Sequence, residues 1–199
     1  MLKFQDINPS KKAVIFELDD VLVPKKDYDL QVYYLFANFI EYLDTFPPAQ
    51  DMVDFVKKRY EIYANDGMFE QLKNTFGLAA KYKENLALLF TNAKLPLKLL
   101  LYKEALDLLQ ELVVNRIEIY ILTAGKPVEQ LNKIKQTEWN GLDKYLKVYF
   151  IEEFGENFTT EALDYLLTQN KLDKANVLIV GKADSKSKFI TGVDFVAIT

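Results

Sequence analysis

Apolar and polar positions alternate between two periods along the chain. Segment 13–18 reads Ala-Val-Ile-Phe-Glu-Leu, segment 117–122 reads Ile-Glu-Ile-Tyr-Ile-Leu, and segment 177–180 reads Val-Leu-Ile-Val before Gly181. Short apolar runs bounded by turn residues suit strands buried on both faces of a parallel sheet. Segments 147–151 and 195–198 are two weaker strand candidates. Between these runs the period changes. Segment 102–114 carries Ala105, Leu106, Leu108, Leu109, Leu112 and Val113 on one broad face. Segment 127–139 opens with proline at a first helical position, and segment 159–172 has Thr160 as a capping candidate. This alternation of strand and helix predicts a doubly wound α/β domain.

The stretch 27–93 holds no strand pattern. Helical spacing runs over 29–43, stops at Pro47-Pro48 and resumes over 51–63; a turn follows at Asn65-Asp66-Gly67, then helical pieces at 68–76 and 82–91. The expected organisation is an α/β core of residues 1–25 and 95–199, with residues 26–94 inserted as a helical subdomain. An insertion between the first two strands is expected to pack over the carboxyl ends of the sheet, where open α/β sheets bind ligands. The aromatic run Tyr33, Tyr34, Phe36, Phe39 and Tyr42 reads as core packing in preference to a pocket lining, and Lys25-Lys26 as a solvated hinge in preference to an anion guide.

Composition narrows the chemistry. The 199 residues carry a formal net charge of −4, with lysines interleaved among acids, which gives no support to nucleic-acid binding. No cysteine and no histidine is present. Disulfides, thiolate or imidazole metal sites and Ser-His-Asp catalysis are excluded. Hydrolysis would have to use carboxylates, hydroxyls, lysine or an oxygen-bound metal such as magnesium. No apolar run has the length of a signal peptide core or a membrane span, so the expectation is a cytoplasmic protein without a membrane partner.

The chemistry-bearing positions follow the strands. Glu17 and Asp19 place two carboxylates side by side at the mouth of the sheet, where one can attack and the other can shuttle a proton. After the second strong run comes Thr123-Ala124-Gly125-Lys126: a hydroxyl at a strand end, then backbone N–H groups facing an anion near a helix start. The third ends Gly181-Lys182-Ala183-Asp184.

The string Glu-Leu-Asp-Asp-Val-Leu-Val-Pro at 17–24, with these two later segments in order, resembles the motifs of the haloacid-dehalogenase-like (HAD) hydrolases. The resemblance implies a Rossmann-like parallel sheet flanked by helices with an all-helical cap. It also implies magnesium as cofactor and a small phosphorylated or anionic molecule as substrate. It puts Glu17 at the nucleophile position, Asp19 at the acid–base position and Thr123 at the phosphate-hydroxyl position. Thr123, Ala124, Gly125 and Lys126 would form the phosphate-binding turn, and Glu17, Asp19 and Asp184 the metal set. Three positions depart from the family pattern. Glu17 replaces aspartate. The loop before the next helix has no lysine, Asn157 lying nearest its expected place, with Lys126, Lys133 and Lys135 as substitutes in space. Lys182 stands at the metal-acid position, where it is expected to pair with Glu17 and Asp19. Two readings follow: a phosphatase-like hydrolase with an altered site, or an impaired relative that binds a ligand or partner. A purely structural helical module would explain the insertion but not the acids.

Overall fold

A computed structural model describes residues 2–155, 159–189 and 192–198. The strands are β1 (Ala13–Phe16), β2 (Leu99–Leu100), β3 (Glu118–Thr123), β4 (Thr137–Glu138), β5 (Leu146–Phe150), β6 (Val177–Lys182) and β7 (Asp194–Ile198). The helices are α1 (Lys25–Asp44), α2 (Ala49–Tyr63), α3 (Met68–Phe76), α4 (Tyr82–Asn92), α5 (Lys103–Val114), α6 (Pro127–Gln136) and α7 (Thr159–Gln169). Five strands form one sheet in the order β5-β3-β1-β6-β7, and every neighbouring pair is parallel. The two-residue strands β2 and β4 lie outside it. This is a Rossmann-like α/β sheet of the kind the alternating pattern predicts.

The chain divides into two compact units. One comprises Met1–Pro24, Leu100–Gln130 and Thr137–Thr199; the other comprises Lys25–Leu99 and Leu131–Gln136. The chain therefore passes between them at Pro24/Lys25 and Leu99/Leu100, against expected boundaries at 25/26 and 94/95. The end of α6 also groups with the helical unit.

In the α/β unit, β1 is buried along its whole length and has a parallel strand on each side. Its alternate residues Ala13 and Ile15 join Tyr120, Leu122, Val177 and Ile179 in a core closed by Ala162, Leu163, Leu166 and Leu167 of α7. Spacing of those four positions on α7 is helical, so one face of the helix meets one face of the sheet. Helix α7 starts at Thr159, which places Thr160 inside it and not at its cap.

The helical unit has its own core, centred on Tyr28, Val32, Phe36, Ile40, Met52, Val56, Met68, Leu72, Leu86 and Phe90. Tyr33 and Phe36 of the aromatic run are buried here and Phe39 packs against them, whereas Tyr42 is 86 % exposed. Edge-to-face contacts Tyr33–Phe90 at 5.7 Å and Phe39–Tyr82 at 6.1 Å tie α1 to α4. Lys25 pairs with the buried Asp29, which also accepts from the Tyr60 hydroxyl at 2.7 Å; Lys26 pairs with Glu61. Both lysines of the expected hinge are thus engaged inside this unit. No helix among the described residues is long and apolar enough to cross a membrane.

Candidate functional site

The register of the sheet sets the candidate residues side by side. Phe16 lies opposite Ile121 of β3 and Val180 of β6, so Glu17, one residue on, leaves β1 between the two strand ends that carry Thr123 and Lys182. The Glu17 N–H still donates to the Val180 carbonyl at 3.1 Å. The chain then turns sharply. Leu22 and Val23 both donate to the Leu18 carbonyl, and Asp20 donates to the Val23 carbonyl at 2.8 Å with a φ of 62°. Aspartate tolerates that left-handed conformation better than most residues, which gives the second acid of the Asp19-Asp20 pair a backbone role.

The Glu17 side chain does not point straight out of the sheet. Its Oε2 accepts from the backbone N–H of Lys182 at 2.7 Å. The carboxylate thereby covers Gly181, where a Cβ would lie 2.7 Å from the same oxygen and 3.0 Å from Phe195 Cζ. Gly181 is therefore glycine because the longer acid needs the space. Against the expected pairing of the Lys182 ammonium with Glu17 and Asp19, the contact to Glu17 runs through the lysine's backbone N–H.

Asp19 is served from α6. Its Oδ2 accepts from Gln130 Nε2 at 3.0 Å, and the same amide nitrogen donates to the Ala124 carbonyl. Thr123 is buried at the end of β3, with its hydroxyl turned to the Ala124 carbonyl at 3.4 Å, a marginal contact. Gly125 adopts a φ of 105°, with the Gln130 amide 2.8 Å from where its Cβ would be. Its N–H donates to the Glu152 carboxylate. Lys126 and Lys135 are exposed; Lys133 is buried in the helical unit, its ammonium 5.1 Å from the Tyr28 ring. Asn157 lies outside the described residues.

Gln130 and Glu152 are the site residues that sequence reasoning missed. Nothing local in the sequence marks either of them. Gln130 and Asp19 are 111 positions apart, and Glu152 reaches Gly125 from 27 positions away.

Magnesium is the cofactor this fold implies, and among the described residues the acids are not gathered into a set that would hold it. Magnesium requires near-octahedral oxygen ligands and dehydrates reluctantly. Glu17 has committed Oε2 to Lys182, a cation follows Gly181 at the metal-acid position, and Asp184 is exposed on the turn Ala183–Lys188. Among the described residues no three acids, histidines or cysteines group in a way that could hold a metal ion.

Solved structures share this architecture. The HAD-hydrolase YfnB from Bacillus subtilis, bound to magnesium, superposes with a TM-score of 0.63 at 16% identity, covering 94% of this chain and 86% of that one. A dehalogenase with an intermediate complex gives 0.58 at 13% identity over 97% and 87% of the two chains. A HAD family hydrolase from Deinococcus radiodurans R1, with bound phosphate and sodium, gives 0.55 at 12% identity over 94% and 80%. The chain has the HAD-hydrolase fold. No protein-family model matches the sequence, and comparison with curated proteins finds no significant match. At such identities the likeness extends to the fold, and the site must be read from its own residues.

Proposed function

We propose that this HAD-fold chain carries an impaired phosphatase-like site and acts by binding a ligand or partner there, without phosphoryl transfer. The observation that carries this reading is the Glu17–Lys182 hydrogen bond. Nucleophilic attack needs a carboxylate oxygen aimed in line at phosphorus, and a misplacement of about 1 Å can cost on the order of a hundredfold in rate. Here the side chain at the nucleophile position is spent on the neighbouring strand. Two further features support the same reading. Among the described residues, a metal that would offset charge between phosphate and two carboxylates has no group of three suitable donors. The Gly125 N–H, which would receive a phosphoryl oxygen, is held by an internal carboxylate.

Restoring the family residues tests the proposal. Wild type, Glu17→Asp, Lys182→Asp and the double variant are assayed against a panel of phosphate monoesters with and without magnesium. The expected result is magnesium-dependent turnover in the double variant only. A wild-type rate that falls when either aspartate is restored contradicts the proposal.

A further inference from the structure

A cavity of about 370 Å3 lies where β3 and β5 begin, at the opposite end of β3 from Thr123. That volume is within the range of about 300–1,000 Å3 typical of small-molecule sites. Val113, Ile117 and Ile119 give it apolar walls, and Tyr120 and Tyr145 add aromatic surface. Three charged residues line the same cavity: Arg116, Glu118 and Lys147. Glu118 accepts from the Tyr120 hydroxyl. The Lys147 ammonium donates to the neutral Asn170 Oδ1 at 3.0 Å and lies 5.3 Å from the Tyr120 ring. Among the described residues neither Arg116 nor Lys147 is ion-paired. The lining therefore carries a single positive charge in excess.

Arg116 stands where glycine would be relaxed. It follows the end of α5 with a φ of 57°. Its N–H donates to the Val113 carbonyl at 3.1 Å, and the Ile117 N–H donates to the Leu112 carbonyl at 2.9 Å. This pair of bonds closes many helices, and the left-handed residue within it is usually glycine. An arginine there costs conformational energy that glycine does not. Its side chain is exposed and makes no hydrogen bond among the described residues, so no such contact offsets the cost. A strained residue without internal compensation points to a role outside the fold.

We infer that this cavity binds a small carboxylate with an apolar body, and that Arg116 is kept for that ligand. The apolar walls take the body. The guanidinium offers a planar fork of donors that matches a carboxylate, and Lys147 adds a second cation. A monoanion cancels the excess charge of the lining. A phosphate dianion would exceed it and meet Glu118, and a cation would meet Arg116 and Lys147. The site is separate from the Glu17–Lys182 arrangement and does not depend on the function proposed for it.

The test uses the full chain labelled with 15N, titrated at matched ionic strength with sodium phenylacetate, sodium acetate, benzyl alcohol or benzylammonium chloride. The backbone amides of Ile119 and Lys147 are followed. The expected result is a saturable shift of both with phenylacetate, weaker binding of acetate and of benzyl alcohol, and none of benzylammonium. Arg116→Gly is expected to weaken phenylacetate binding at least about tenfold, the scale of one charge-assisted hydrogen bond, without lowering the urea midpoint. Lys147→Gln, at an exposed position, is expected to weaken it severalfold. If Arg116 served only to offset the partial negative charge at the carboxyl end of α5, its replacement by glycine would lower the midpoint and leave no ligand effect. That result, unsaturable shifts, equal affinity for benzyl alcohol or benzylammonium, or unchanged phenylacetate affinity in either folded variant would overturn the inference.

Discussion

Glu17 and Lys182 are joined across two parallel strands by a 2.7 Å hydrogen bond from the lysine's backbone N–H to the glutamate's Oε2. The contact requires three things at once: an acid one methylene longer than aspartate, a missing side chain at Gly181, and a residue at 182 whose side chain is not needed as a metal ligand. Glu17 and Lys182 look like isolated departures from the family motifs when read in sequence, and Gly181 departs from them not at all. In space they form a single arrangement that directs the first acid sideways.

Coupling between Glu17 and Gly181 follows directly. A Cβ on residue 181 would meet Glu17 Oε2 at 2.7 Å and Phe195 Cζ at 3.0 Å. Gly181→Ala is expected to destabilise the protein by about 1–3 kcal/mol, the usual range for overpacking a buried site. With Glu17→Ala in the background, the cost falls by about 1 kcal/mol, because the displaced carboxylate is gone. Urea denaturation of the four proteins in this double-mutant cycle measures the coupling. Additive losses would mean that the carboxylate does not hold this space.

Glu152 engages the Gly125 N–H of the Thr123–Gly125 turn. Glu152→Ala frees the Gly125 N–H and removes a negative charge from the turn. Inorganic phosphate is then expected to shift the Gly125 amide signal saturably in the variant and to leave it unmoved in the wild type. Equal phosphate binding by the two proteins would contradict this role.

Tyr120 gives the fold an alkaline limit. Burial, then donation of its hydroxyl to Glu118, raises its pKa well above the ordinary tyrosine value. The folded value exceeds the unfolded one, so the stabilisation is complete below about pH 10 and is lost as pH rises towards the folded value. Tyr120→Phe is expected to remove this part of the slope in denaturant titrations at successive alkaline pH values. An unchanged slope would assign the alkaline limit to other groups.

Hydrophobic periodicity carried most of the fold. Segments 13–18, 117–122 and 177–180 mark β1, β3 and β6 to within two residues at either end, because strands buried on both faces of a sheet are apolar throughout. Helix α3 has the limits its pattern indicates, since Gly67 and Gly77 bound it in left-handed conformations. Helix α6 is shorter than its pattern, ending at Gln136 where β4 begins, and nothing in its spacing marks that change. Candidate residues at strand ends were equally legible, as topology places Glu17, Thr123 and Lys182 at neighbouring positions. Side-chain direction was not. Whether Glu17 faces outward or sideways depends on Gly181, 164 residues later, and the partners of Asp19 and Gly125 come from polar positions with no local signature.

The most direct measurement of the account is steady-state phosphate release from p-nitrophenyl phosphate by the wild type and by Asp19→Ala, each with saturating magnesium. The account predicts that both proteins release phosphate at the same background rate. Wild-type turnover that disappears in Asp19→Ala would contradict it.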